Sequence, residues 1–247
     1  MVLALQKQVF LDDCPHFVKY PFNSISILYF CGNTTHKMKK PFLLFLLLYS
    51  CTLTAQQTYV LDEFGEKLKQ FYQGLNVETH WVAGQHINWE TGESDDRDDT
   101  HNLKNHCAAF VAGTCQKLKI VILRPPEHGQ DLLSNAQFDW LSTAAAAAQA
   151  WKRIAGDNLY GQAQDLANKG FVVVAVIKNT DEKKPGQIAF VNPAVITDKD
   201  LTDSGPQLIM AGVKNYSNIS LKTGFKGFYS KWPESQIEFY YFVNPVF

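Results

Sequence analysis

Phe171-Val172-Val173-Val174-Ala175-Val176-Ile177 leads through Lys183-Lys184-Pro185-Gly186 into Gln187-Ile188-Ala189-Phe190-Val191. Both outer runs are apolar, rich in β-branched residues and too short for ordinary helices, so each reads as a buried strand. The Pro-Gly pair between them supplies the turn. Asn192-Pro193 closes the second strand, a third follows Ser204-Gly205-Pro206 as Gln207-Leu208-Ile209-Met210-Ala211-Gly212, and a last one is Ile237-Glu238-Phe239-Tyr240-Tyr241-Phe242. Strands joined by turns or loops, with the helical patterns gathered upstream, predict an α+β domain with an antiparallel sheet. A doubly wound fold would need helices alternating with strands.

Upstream, Val60, Leu61, Phe64, Leu68, Phe71 and Tyr72 fall on one helical face, predicting an amphipathic helix over 58–75 that Gly74 and Asn76 end. A second helix is expected over about 105–118. Ile120-Val121-Ile122-Leu123 is a short apolar segment stopped by Arg124-Pro125-Pro126. Helix formers from Gln130 to Trp151 predict another helix, with Ala144 to Ala148 as a close-packing surface. A short helix around Ala163 to Asn168 precedes Gly170 and the first strand.

The second helix carries the chemistry. Its start reads Asn105-His106-Cys107-Ala108-Ala109-Phe110-Val111-Ala112-Gly113, with Asn105 as N-cap and Cys107 in the first turn. Free backbone N–H groups and the positive end of the helix dipole stabilise a thiolate there, which makes Cys107 the candidate nucleophile. The competing reading is a small core hydrophobe in an apolar helix. Phe110, Val111 and Leu118 are expected to face the sheet, bringing Cys107 toward the start of the 187–191 strand.

The 247 residues are 46% hydrophobic and 19% charged with formal net charge −1, the profile of an ordinary globular chain, and no basic patch calls for nucleic acid. Met38-Lys39-Lys40 followed by Pro41-Phe42-Leu43-Leu44-Phe45-Leu46-Leu47-Leu48-Tyr49 has the charge and length of a secretory leader. Two processing routes are open: cleavage after Ala55 to release a soluble exported protein, which is favoured, or lipidation at Cys51 within Leu48-Tyr49-Ser50-Cys51 to anchor an envelope lipoprotein, as in the outer membrane. Residues 1–37 then read as a non-native extension, 38–55 as the leader and 56–247 as one domain. Of five cysteines, Cys107 and Cys115 remain in that domain. Eight positions apart on one helix they stand ~12 Å from each other, beyond disulfide reach. Asp95, Asp96, Asp98 and Asp99 lack the glycine turn and terminal glutamate of an EF-hand and read as a solvated loop. No metal or cofactor is expected.

Asn105-His106-Cys107-Ala108-Ala109-Phe110-Val111 resembles the nucleophile motif of the papain-like peptidoglycan hydrolases known as NlpC/P60 and CHAP domains, and Pro185-Gly186-Gln187-Ile188-Ala189-Phe190-Val191 resembles the proline, glycine, histidine and apolar strand that follow in them. The resemblance covers about residues 100–245. It implies a papain-like fold, with a nucleophile helix packed on the antiparallel sheet, and a cysteine peptidase or amidase acting on peptidoglycan stem peptides. At the position of the expected histidine the chain has Gln187, which cannot take a proton from a thiol at neutral pH. The third, polar member of the family's triad falls on Gln207 or Asn215.

Two functions follow. In the first, an exported cysteine hydrolase uses Cys107 as nucleophile, first-turn N–H groups as oxyanion hole, and a histidine from elsewhere as base. His86 and His101, arriving from the preceding loop, are better placed for this than His106, whose side chain diverges from that of Cys107 by about 100° on a helix, or His128. Trp81 and Trp89, in the tryptophan- and histidine-rich stretch 80–92, and Asn215 are the candidate substrate contacts. In the second, Gln187 marks a catalytically silent envelope protein that keeps the fold to bind peptidoglycan or a protein partner.

Overall fold

The computed structural model describes residues 57–95, 105–228 and 236–247, all within one compact unit, Thr54–Phe247. Residues 1–37, the leader at 38–55 with Cys51, the acidic positions Asp96, Asp98 and Asp99, and His101 lie outside the described residues.

Six strands form the main sheet: β2 (Trp151–Arg153), β3 (Val173–Ile177), β4 (Gln187–Val191), β6 (Gln207–Met210), β7 (Tyr216–Ser220) and β8 (Glu238–Phe242). Their spatial order is β2-β8-β3-β4-β6-β7, and every neighbouring pair is antiparallel. A separate ribbon pairs β1 (Thr58–Tyr59) with β5 (Ile196–Thr197). The hairpin expected at Lys183-Lys184-Pro185-Gly186 is present, with Ile177 opposite Gln187 and Val176 opposite Ile188.

Helices cover both faces of the sheet, which explains why its central strands β3 and β4 are buried at every position. Val174, Val176, Ile188 and Phe190 join one core with Leu68 and Tyr72 of α1 (Glu63–Gly74), Phe110 and Val111 of α2 (Cys107–Lys117) and Leu133 and Leu141 of α3 (Leu133–Leu141). Their alternates Val173, Ala175, Ile177, Ala189 and Val191 join a second core with Ala163 and Ala167 of α5 (Leu159–Asn168), and with Leu221 and Phe225. The ring of Phe110 stands edge-on between Trp81 and Phe190, with centroids 5.2 and 5.6 Å away. Every residue from Cys107 to Cys115 is buried, Phe110 reaches Phe190 of the sheet, and Leu118 is packed against the same core.

Several upstream elements differ from the sequence reading. α1 begins at Glu63, not near residue 58, because Asp62 caps it by accepting the Gly65 N–H, while Thr58–Tyr59 is drawn into the β1–β5 ribbon. Val60 is accordingly 65% exposed and belongs to no helical face. The helix expected over 130–151 is two, α3 and α4 (Ala144–Ala148), since Thr143 caps a new start by accepting the Ala146 N–H. Of the alanine run only Ala146 is buried, so the run is not a close-packing surface. Ala150 then turns in a left-handed conformation (φ 65°), and Trp151 opens β2 instead of ending a helix. Ile120 to Leu123 buries Ile120 and Ile122 without pairing as a strand, its Val121 carbonyl taken by the Trp151 indole N–H at 2.7 Å.

Candidate functional site

Cys107 opens α2 and lies over the first residues of β4, where it is 2% exposed. The cap differs in detail from a simple Asn N-cap. His106 occupies the cap position with no side-chain cap bond, and Asn105 one residue earlier accepts the Cys107 N–H through Oδ1 at 2.9 Å. Burial dominates the thiol's chemistry, pushing its pKa up to about 11, although the N–H groups of Ile188, Ala108 and Cys107 and the Asn105 side chain offset part of that cost. The first-turn donors expected to favour a thiolate are therefore in place but outweighed by desolvation. Cys115, in the same core, is a free, buried thiol pushed higher still by burial.

Gln187 stands where the resemblance places a catalytic base, and both ends of its amide are engaged. Oε1 accepts from Asn105 Nδ2 at 2.9 Å, and Nε2 donates to the Ala211 carbonyl at 3.2 Å. A chain of side-chain bonds thus runs from the start of α2, through β4, to the end of β6. The turn ahead of Gln187 is fixed by Asn135 of α3, whose Oδ1 accepts the Gly186 N–H at 2.8 Å and the Asn179 N–H at 3.2 Å while Nδ2 donates to the Lys184 carbonyl at 2.9 Å. Neither the Asn105 bridge nor the Asn135 clamp is readable from sequence, because each joins segments tens of residues apart and an asparagine in a helix or loop carries no mark of its partner.

His106, His86 and His128 each have a partner other than Cys107. His106 is buried with its ring Nε2 2.9 Å from the Gln85 carbonyl, and burial holds its pKa below the ordinary imidazole value. His86, on the neighbouring loop, makes a 2.5 Å contact from Nδ1 to Asp95 Oδ1. His128 bonds the Gly129 carbonyl through Nδ1 in the loop before α3. Among the described residues, no imidazole hydrogen-bonds the Cys107 sulfur.

The three candidate substrate contacts have structural employment. Trp81 is fully buried, held in a left-handed conformation (φ 51°) with its indole N–H on the Trp89 carbonyl at 3.1 Å, and Gly92 packs so closely on its ring that a Cβ there would sit 2.3 Å away. Trp89 is partly buried, with the Arg124 guanidinium over its ring at 5.9 Å. Asn215 uses its whole amide: Nδ2 donates to the carbonyls of Val77, His80 and Trp81, and Oδ1 accepts the Gly212 N–H at 3.0 Å. Gln207, the other candidate third member, sits in β6 with its backbone N–H on Gln164 Oε1 at 3.1 Å.

By fixing the 77–81 loop against the β6–β7 turn, Asn215 creates a feature absent from the sequence reading. A cleft of about 480 Å³ opens there, lined by Glu78, Val82, Ala83, Val213, Lys214, Asn215 and Tyr216. Among the described residues no cluster of His, Cys, Asp and Glu could hold a metal ion, and no helix is long and apolar enough to cross a membrane. No protein-family model matches the chain, and no curated protein matches it.

Proposed function

We propose that this chain is a catalytically silent relative of the papain-like NlpC/P60 and CHAP hydrolases, exported through the leader at 38–55, and that it acts in the cell envelope by binding. The observation that carries this reading is the engagement of Gln187: its amide is spent bridging Asn105 and Ala211 beside a thiol that burial keeps protonated. With a pKa of about 11, on the order of one Cys107 in 10⁴ is thiolate at pH 7, and a primary amide has no basicity with which to raise that fraction. The side chains of Asn105 and Gln187 join the start of α2, the hairpin and the end of β6, a structural use that supports the silent reading.

Peptidoglycan digestion by the native chain, by Gln187→His and by Gln187→His combined with Cys107→Ala tests it. Restoring an imidazole of ordinary pKa supplies a base commonly worth 10²–10⁴ in rate. Digestion by the single variant alone is the expected signature of a silenced hydrolase. Cys107-dependent digestion by the native chain overturns the proposal.

One observation favours the second reading, an active cysteine hydrolase. Asp95 fixes the His86 ring through Nδ1, leaving Nε2 as the nitrogen that could accept a proton, and the Gln85 carbonyl ties that loop to His106 beside Cys107. If His86 is the base, native activity must exist and His86→Ala must abolish it.

A further inference from the structure

The cleft between the 77–83 loop and the β6–β7 turn is built in a way that the cysteine site does not require. Its two walls are pinned together by the four hydrogen bonds of Asn215, so it is preorganised. Glu78 on one wall is fixed by Ser217, whose hydroxyl and backbone N–H both reach Oε1, at 2.6 and 3.1 Å, and these bonds hold its carboxyl below the ordinary glutamate range. Lys214 on the other wall lies with its ammonium 5.2 Å from the centroid of the Tyr216 ring. The two charges act on each other through space, yet among the described residues no carboxylate comes within ion-pair distance of Lys214.

Between those charges the lining is aliphatic. Val82 and Ala83 come from one wall and Val213 from the other, and Val213 is 83% exposed, the most exposed large hydrophobic side chain among the described residues. A valine in water at the tip of a turn contributes nothing to the core, and in a cleft it offers apolar surface to an occupant. The volume falls within the range of small-molecule sites.

We propose that this cleft binds a short peptide with free termini and small aliphatic side chains, its ammonium on Glu78, its carboxylate on Lys214 and its side chains against Val82, Ala83 and Val213. The charge separation selects a zwitterion: a simple cation would be repelled by Lys214 and a simple anion by Glu78. Val82, Ala83 and Val213 offer aliphatic contact between the charges, which favours aliphatic side chains in the ligand. This assignment deepens the binding reading and rests on it, since an active hydrolase would consume such a ligand.

The test uses the full chain and trialanine as probe, by calorimetry at low salt. Saturable binding is expected, weakened at least tenfold when the peptide is N-acetylated and at least tenfold when it is C-amidated. Glu78→Gln, which retains an acceptor for Ser217, should remove the sensitivity to acetylation alone. Lys214→Ala should remove the sensitivity to amidation alone. Equal affinity for free and doubly capped trialanine overturns the proposal, as does the lack of saturable binding up to 10 mM (a limit of about −2.7 kcal/mol in binding free energy). Recovery of the peptide after incubation separates the two claims: Cys107-dependent cleavage defeats the silent reading, whereas intact, unbound peptide defeats only the cleft.

Discussion

Asn105 and Gln187, 82 positions apart, are joined by a 2.9 Å hydrogen bond from Nδ2 to Oε1, and the same asparagine accepts the Cys107 N–H through Oδ1. One side chain thus holds the first N–H of α2 and the Gln187 amide at the same point. An amide suits this position because it accepts from Asn105 and donates to Ala211 at once.

Gln187→Leu should therefore destabilise the fold even though it is close in volume. It leaves the Asn105 amide and the Ala211 carbonyl without this partner in a site where Gln187 is 3% exposed. Stranded buried polar groups cost about 1–3 kcal/mol each, so a loss of roughly 2–4 kcal/mol is expected in urea unfolding. A change under ~0.5 kcal/mol would show that the bridge is not closed in solution.

Phe110→Ala removes a fully buried ring from between Trp81 and Phe190. The expected cost is about 3–5 kcal/mol. Measured against it, Leu118→Ala should cost clearly less, because Leu118 is only partly buried. Equal losses would mean that the helix face is rotated.

Stability should fall on the alkaline side for a reason located at Cys107. The thiol titrates near 9.0 when unperturbed and at about 11 in the folded chain. The contribution is complete below pH 9, where both states are protonated, and is lost as the pH rises from about 9 toward 11, because the unfolded chain releases its proton first. Two pKa units correspond to about 3 kcal/mol as an upper order of magnitude. Cys107→Ala should flatten that part of the stability profile, with Cys115 continuing to contribute in the same direction; an unchanged profile would falsify the assignment.

Gly186→Ala probes the turn that delivers Gln187 to its place. A Cβ there would sit 2.1 Å from the Ile177 carbonyl oxygen and 2.8 Å from Asn135 Oδ1. Backbone must move to accept it, and the Asn135 clamp goes with it, so a loss of at least about 2 kcal/mol is expected. Near-neutral behaviour in thermal unfolding would contradict the close approach.

What the sequence determined by itself is local. The strands at 173–177, 187–191, 207–210 and 238–242 were legible because short β-branched runs bounded by Gly, Pro and Asn have few alternatives, and α2 because its apolar spacing is helical. β2 and β7 were not: Trp151–Arg153 is too short to show a period, and Tyr216–Ser220 is a polar edge strand whose pairing with β6 supplies what its composition lacks. The tertiary structure alone decided the chemistry. Sequence placed Cys107 at a helix start, where dipole and N–H groups favour a thiolate, but the pKa is set by the layers packed over it, and desolvation outweighs those local donors. It identified Gln187 as a departure without showing that its amide would be consumed by Asn105 and Ala211, and it marked Trp81 and Asn215 without showing that packing makes one part of the core and the other the staple of a cleft. Burial and hydrogen-bond partnership are properties of segments meeting across the chain, and no local pattern encodes which distant group will arrive.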